Sequence, residues 1–376
     1  MAYLETSINQ CFKELTDPRV VGRSWHYLSD IVTIVLCAVI SGADDFNEIE
    51  IFARCKEAFF RTFLELPNGI PSHDTINRVM SRLSPEEFSS CFIEWVKSLS
   101  KRVPDIIAID GKTLRSSFND AEKRDCLHMV SAWSVENGLV LGQIRTAEKS
   151  NEITAIPTLL SLLDIEGCIV TIDAMGCQTE IAQKILNGGG DYVLALKGNQ
   201  GNSHEAVEQL FKWEKKNSFS GVMHSEFSTM EKDHGRIETR NIFSIGNLET
   251  IDGLGLEKWP GLKSVTQVES IREINGKSSV EYRYYLSSLA ADAQRIGKAV
   301  RGHWGIENSL HWVLDVLFNE DKARNRKDHS AANMTIMRHM AVNLVKNDKS
   351  SKVSIKNRRL KAGWDDKYLL KLISAV

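Results

Sequence analysis

The chain is 376 residues long, 42% apolar and 26% charged, with a formal net charge of −2. That make-up belongs to ordinary globular proteins and leaves room for two domains, or for one core carrying a large insertion. It excludes a disordered polyelectrolyte and a uniformly basic nucleic-acid coat, and the longest apolar run, Ile31 to Ile40, is half of the roughly 20 residues that cross a bilayer, so no membrane span is expected.

Residues 1 to about 100 show helical periodicity and little strand signal. The run Ile31 to Ile40 reads as a buried helix. Ser72 is placed to cap a second helix, with Ile76, Val79, Met80 and Leu83 on one face and Arg78 and Arg82 elsewhere. A DNA-reading helix has this form, and so has any amphipathic helix. From residue 101 the pattern alternates. Ile106 to Asp110, Cys126 to Ser134 and Leu139 to Thr146 are read as three strands, followed by a helix over about 151–163 and a strand from Ile169 to Asp173. A helix over about 179–186, a strand from Tyr192 to Leu196 and a helix over about 202–215 come next. Three strands, a helix, then alternating strand and helix predict a mixed sheet with the first three strands antiparallel and the later ones parallel to the first. The strand of Asp110 should be central and lie beside that of Asp173.

Between about 217 and 290 the character changes to short alternating segments: Arg240 to Ile245, Lys263 to Ile271 and Ser279 to Ser287. Asn275-Gly276 between two of them is the strongest short hairpin signal. We read a mainly β insertion. After it, Ile306, Leu310, Val313 and Leu317 recur at helical spacing, with Glu307 flanking the stripe and His303 and His311 one turn to either side.

Chemistry is suggested by where the acids fall. Asp110 and Asp173 each close a short β-branched run, at the strand edge where open α/β sheets hold their ligands. Either one alone is equally suited to capping a turn or a helix. Together with Glu307 they form an oxygen-donor set, which selects hard cations such as Mg²⁺ or Mn²⁺. Two such ions about 3.5 to 4 Å apart activate a water or a 3′-hydroxyl and stabilise the leaving oxygen of a phosphodiester. Asp315, two turns beyond Glu307, is a rival third carboxylate.

Several ordered segments carry a family resemblance: IAIDGKTLR at 107–115, EKSNEITAIP at 148–157, TIDAMGCQ at 171–178, GGDYVLALKGNQG at 189–201, HGRIETR at 234–240 and HWGIENSLHWVLDVLFNED at 303–321. With the N-terminal SDIVTIVLCAVISGADDFNEIEIF (29–52) and GIPSHDTINRV (69–79), the chain resembles, over nearly its whole length, the H-repeat-associated, Rhs-linked transposases of the DDE superfamily. The resemblance implies a ribonuclease H-like α/β catalytic core over 101–376, with a β-rich insertion at about 217–290, behind a helical transposase-associated domain over 1–100. It implies that Asp110, Asp173 and Glu307 are the catalytic, metal-holding carboxylates for two Mg²⁺ (or Mn²⁺) ions. The expected partners are double-stranded DNA, both terminal inverted repeats and target, bound by a homodimer or larger assembly. One departure stands out: Val300 and His303 occupy the places where related insertion-sequence families carry Tyr and Arg.

The remaining signals are weaker. From Arg295 to Lys361 there are 15 Lys and Arg against 6 Asp and Glu, although the whole chain is slightly acidic, so phosphate contacts are expected in the C-terminal third. Lys112, Lys197, Arg324 and Arg326 are candidates, with His303 beside the glutamate and His234 and Arg236 carried by the resemblance. Gly111-Lys112-Thr113 imitates the end of a P-loop, but Ile106 stands where its first glycine is required. Trp304 and Trp312 are expected in the core. The seven cysteines, without any C-x-x-C pair, point to reduced, buried thiols in a cytoplasmic protein; bound to DNA as the resemblance implies, it is expected to be nucleoid-associated. Two other readings stay open: a metal-dependent nuclease without strand transfer, and a domesticated, non-catalytic DNA-binding protein.

Overall fold

The computed structural model describes residues 12–20, 22, 24–99, 105–118, 126–146, 152–233, 235–251 and 255–374. In chain order the helices of the first hundred residues are α1 (Leu28–Ser41), α2 (Phe46–Cys55), α3 (Glu57–Phe60), α4 (His73–Arg82) and α5 (Pro85–Leu99). Strands β1 (Ile106–Thr113), β2 (His128–Ser134) and β3 (Leu139–Thr146) follow, then α6 (Glu152–Leu162), β4 (Ile169–Ile172), α7 (Thr179–Asn187), β5 (Asp191–Leu196) and α8 (Gly201–Lys216). Four long strands come next: β6 (His224–Asp233), β7 (Arg236–Gly246), β8 (Ser264–Ile274) and β9 (Lys277–Ser287). The chain ends in α9 (Ala293–Ile306), a π-helical turn (Glu307–His311), α10 (Trp312–Leu317), α11 (Ser330–Asn347), α12 (Ile355–Trp364) and α13 (Asp366–Ser374).

The chain divides into two compact units, one made of residues 1–102, 111–151 and 307–376, the other of residues 103–110 and 152–306. The second unit holds a large mixed sheet in the strand order β1-β4-β5-β9-β8-β7-β6. β1 pairs with β4, and β4 with β5, in parallel. These three are short, β-branched and buried, as strands covered on both faces are. Helix α9 packs over β4 to β8, α7 over β5, and α8 over β9. The mixed α/β sheet with flanking helices is the expected fold class, and the strand of Asp110 does lie beside that of Asp173.

The segment read as an insertion extends this same sheet. β9 pairs antiparallel with β5, Val193 opposite Ser287 and Leu196 opposite Tyr284, and β8, β7 and β6 follow antiparallel. An apolar edge strand is thereby covered by four further strands. The turn at Asn275 and Gly276, with φ of 50° and 73°, has the left-handed backbone that a two-residue hairpin requires. β6 was missed in the sequence, because its residues HSEFSTMEKD are polar and show no apolar alternation.

The other unit is mainly helical. Its centre is α11, along which every residue from Ala332 to Val345 is buried, packed by α1, α4, α5, β3, α12 and α13. Polar residues on such a helix need partners. Asn333 donates to the carbonyls of Met80 (2.8 Å) and Leu83 (3.0 Å), and Asn343 both accepts from the Val140 amide (2.8 Å) and donates to its carbonyl (3.0 Å), closing the β2–β3 hairpin edge. Helix α1 contains the buried run Ile31 to Ile40, and Ser72 caps α4 through the Thr75 amide. Cys37, Cys168 and Cys177 are buried thiols, but Cys55 is exposed, contrary to expectation. Among the described residues, no helix is long and apolar enough to cross a membrane.

Candidate active site

Asp110, within β1, and Asp173, the first residue after β4, lie at the same end of the β1–β4 pairing. The last register pair of β1 and β4 is Ile109 with Ile172, so the two aspartates follow at matched positions on adjacent parallel strands. Ile106 to Ile109 stand opposite Ile169 to Ile172, and all eight residues are buried. Both aspartates are half-buried. Asp173 accepts from the backbone amides of Met175 (3.1 Å) and Gly176 (3.5 Å), the closed turn that short acidic side chains form. Close packing maintains the turn: a Cβ on Gly176 would sit 2.3 Å from Ile172 Cγ2. The loop after β5 is tied to it, with Asn199 donating to the Ala174 carbonyl (2.6 Å) and Gln200 to that of Cys177 (2.9 Å). Lys197 emerges exposed at the start of this loop, on the same edge as both aspartates.

Helix α9 is clipped to β4 by His303, whose Nδ1 shares a 3.1 Å hydrogen bond with the hydroxyl of Thr171, two residues before Asp173. His303, a candidate for phosphate contact, thus has a local role already. Trp304 and Trp312 are 40% and 55% exposed, which corrects their assignment to the core; Trp304 lies under the Arg283 guanidinium, 4.8 Å from ring centre to Cζ.

Glu307 opens the π-helical turn. A single continuous α-helix was expected, but α9 stops at Ile306, and the next five residues take the wider turn before α10 begins. The buried stripe survives, with Ile306, Leu310 and Val313 enclosed. Glu307 is exposed, and its Oε2 stands 3.5 Å from Nδ1 of the buried His311. Single π-turns inside α-helices occur frequently at functional sites. Lys346 braces this one: its ammonium donates to the Ser309 carbonyl (3.3 Å) and stacks over Trp133 at 4.2 Å. Burial lowers the Lys346 pKa to about 8.

Asp315, the rival ligand, is held by Lys112 in a short ion pair, and the same ammonium meets Glu320 at 2.7 Å and Asp321 at 3.9 Å. Burial by itself opposes the charge on Lys112, yet Glu320 and Asp315 outweigh it and raise its pKa. Burial raises the pKa of Asp315, with Lys112 only partly offsetting it. Lys112 and Asp315 therefore serve each other, leaving neither disposed toward a phosphate or an ion. Arg326 donates to the Ser116 carbonyl (3.0 Å) and covers the Phe118 ring at 4.3 Å, while Arg324 is exposed. Arg236 lies 3.5 Å from Glu238 at the start of β7. His234 lies outside the described residues.

In the sequence His311 is not marked as a donor, because it stands eight residues from His303 and lacks zinc-ligand spacing. Lys346 is not marked either, because no one-dimensional pattern links residue 346 to Ser309. Neither spacing nor composition marks a π-turn.

A family model for the transposase DDE domain matches residues 101–344, and one for its associated domain matches residues 9–96; the chain belongs to the DDE transposase family. It is 42% identical over 365 residues to the H repeat-associated putative transposase YhhI of Escherichia coli K12, covering 96% of each chain. It is 43% identical to the putative transposase YncI of Escherichia coli O157:H7, over 96% of this chain and 93% of that one. A shorter protein called inactive transposase YbfQ is 44% identical over 66 residues, 18% of this chain and 79% of its own. Among solved structures, the piggyBac transposase synaptic complex with hairpin DNA covers 98% of this chain and 78% of its own, at a TM-score of 0.44 and 12% identity.

Proposed function

We propose that the protein is a DNA transposase that cuts phosphodiesters at the ends of its own element and joins the freed 3′-hydroxyl to target DNA. The observation that carries this reading is the matched placement of Asp110 and Asp173, each one residue past the last pair of two adjacent parallel strands, in a chain belonging to the DDE transposase family. Asp110, Asp173 and Glu307 are the proposed catalytic carboxylates, and His311, beside Glu307, is a further donor. An acidic set with one imidazole suits a divalent cation. Mg²⁺ or Mn²⁺ bound as a pair would supply an activated oxygen nucleophile and charge neutralisation at the leaving oxygen.

The protein's own groups set the stage for that chemistry. The backbone amides of Met175 and Gly176 fix the Asp173 carboxylate, and the Asn199 and Gln200 contacts keep the neighbouring loop in place. Thr171 and His303 fix the helix leading into Glu307, and Lys346 holds the turn. Lys197 and Arg324, both exposed, are positioned for DNA phosphates. Two element ends must be processed together, so a homodimer or larger assembly on DNA is part of the proposal.

The test is incubation of the purified protein with candidate element ends and Mg²⁺, followed by sequencing of the products. Asp110→Asn, Asp173→Asn and Glu307→Gln should each abolish cleavage while leaving folding and DNA binding intact. Full cleavage by the Asp173→Asn protein rejects the assignment. Cleavage without joined products points instead to a nuclease.

A further inference from the structure

Where α9 crosses β6 and β7, a groove of about 520 Å³ opens to solvent. Its floor is apolar, made by Phe227 of β6 and Ile242 of β7. Helix and sheet come close there because residue 297 is a glycine: a Cβ at that position would stand 3.2 Å from Ile242 Cδ1. A glycine inside a helix costs roughly 1 kcal/mol relative to alanine, so close packing is a physical reason for its presence.

The walls carry charge. Arg295, Lys298 and Arg301 recur every three residues on the exposed side of α9, and Arg240 faces them from β7. Two carboxylates line the groove, Glu231 and Asp292. Glu231 bridges Arg301 (2.8 Å) and Arg240 (3.1 Å), which orders both guanidiniums against the wall. Asp292 accepts from the Arg295 amide at the start of the helix (2.9 Å). Arg240 is also paired with Glu238 (2.7 Å), so with that carboxylate counted the four cations exceed the acids by one, and Arg295, Lys298 and Arg301 form the exposed row.

We infer that this groove binds the sugar-phosphate backbone of DNA, at a site separate from the carboxylates. From Arg295 to Arg301 the helix rises ~9 Å. One DNA strand presents a phosphate every ~3.4 Å of rise, so the row matches two to three successive phosphates and exceeds what a single phosphate ion would use. Deoxyribose is suited to the Phe227 and Ile242 floor. The inference rests on the transposase reading and adds a place where the DNA is held.

The experiment is fluorescence anisotropy of the full-length protein with a labelled 20-base-pair duplex, from 50 to 200 mM salt. The double variant Arg295→Gln/Lys298→Gln removes two exposed charges and should lower affinity about tenfold, with a salt slope shallower by about 1.8. Arg295→Lys, which keeps the charge, should retain most of the wild-type affinity. In the wild-type protein, the duplex should protect Lys298 from acetylation by a soluble reagent, a readout independent of any variant's folding. An unchanged slope with Lys298 unprotected overturns the inference, as does a variant altered only in self-association by sedimentation, which would mark a contact between copies. Those results leave the transposase reading standing if Asp110→Asn still abolishes cleavage. Full cleavage by Asp110→Asn rejects that reading, whatever the groove does.

Discussion

In the sequence Lys112 stands just past an apolar run and suits a phosphate, but the structure places it within β1 and surrounds it with Asp315, Glu320 and Asp321. Nothing local in the sequence foretells this, since the carboxylates lie some two hundred residues away. Glu320 is fully buried; burial would raise its pKa, yet Lys112, Arg338 and His339 together hold it below the usual carboxylate range. Removing one partner of such a pair leaves a buried charge uncompensated. Lys112→Met should therefore destabilise the protein by about 3 to 5 kcal/mol, read by urea unfolding at neutral pH. His339, buried on α11, has its pKa pushed down by desolvation to about 3. Between that value and the ordinary 6.5 the unfolded chain binds a proton that the folded chain does not. Stability should thus fall as pH drops through this window, by up to about 1.4 kcal/mol per pH unit from this group. His339→Leu should flatten the slope between pH 4 and 6, and an unaltered slope would place the acid sensitivity elsewhere.

At the level of the element, the strands and helices between 106 and 216 were legible because each has a clear period and clean turn signals. The two aspartates were legible for the same reason, as acids ending buried β-branched runs. β6 was not legible, because its polar sequence becomes a strand only through pairing with β7. The junction of β9 with β5 was also invisible, since strand order is a long-range property. It has a testable consequence. Replacing residues 219–289 by a short linker would uncover β5, whose Tyr192, Val193, Leu194 and Leu196 are buried. We expect the shortened protein to collect in the insoluble fraction, whereas a soluble, monomeric product would show that the core stands without these strands. Gly176→Ala tests the aspartate turn, because the added methyl would press on Ile172 and Ile156. It should lower the thermal midpoint by several degrees, which corresponds to a loss of about 1 to 3 kcal/mol.

Over the whole molecule, charge is near balance, yet the cations concentrate in the C-terminal third. Net charge alone argues against DNA, and local placement argues for it. Some of these cations are committed to the fold: Arg359 donates to the carbonyls of Val39 (3.0 Å) and Ile40 (3.3 Å), and Arg358 to those of Val345 and Lys346. Counting basic residues therefore overstates the charge on offer to DNA. If four phosphates are neutralised in the complex, affinity should fall about 100-fold between 50 and 200 mM salt. A flat response in an anisotropy titration would reject backbone binding as the main source of affinity.

The π-helical turn at Glu307 gives the sequence an unusual numerical tolerance. Such a turn is an α-helix carrying one surplus residue, so excising Asn308 would convert it into an ordinary turn while the residues after it kept their facing. The same excision inside α11 would swivel every later side chain of that helix by about 100°. Loss of one residue should consequently be far less damaging at position 308 than within α11, a contrast that a deletion scan read by thermal melting would expose.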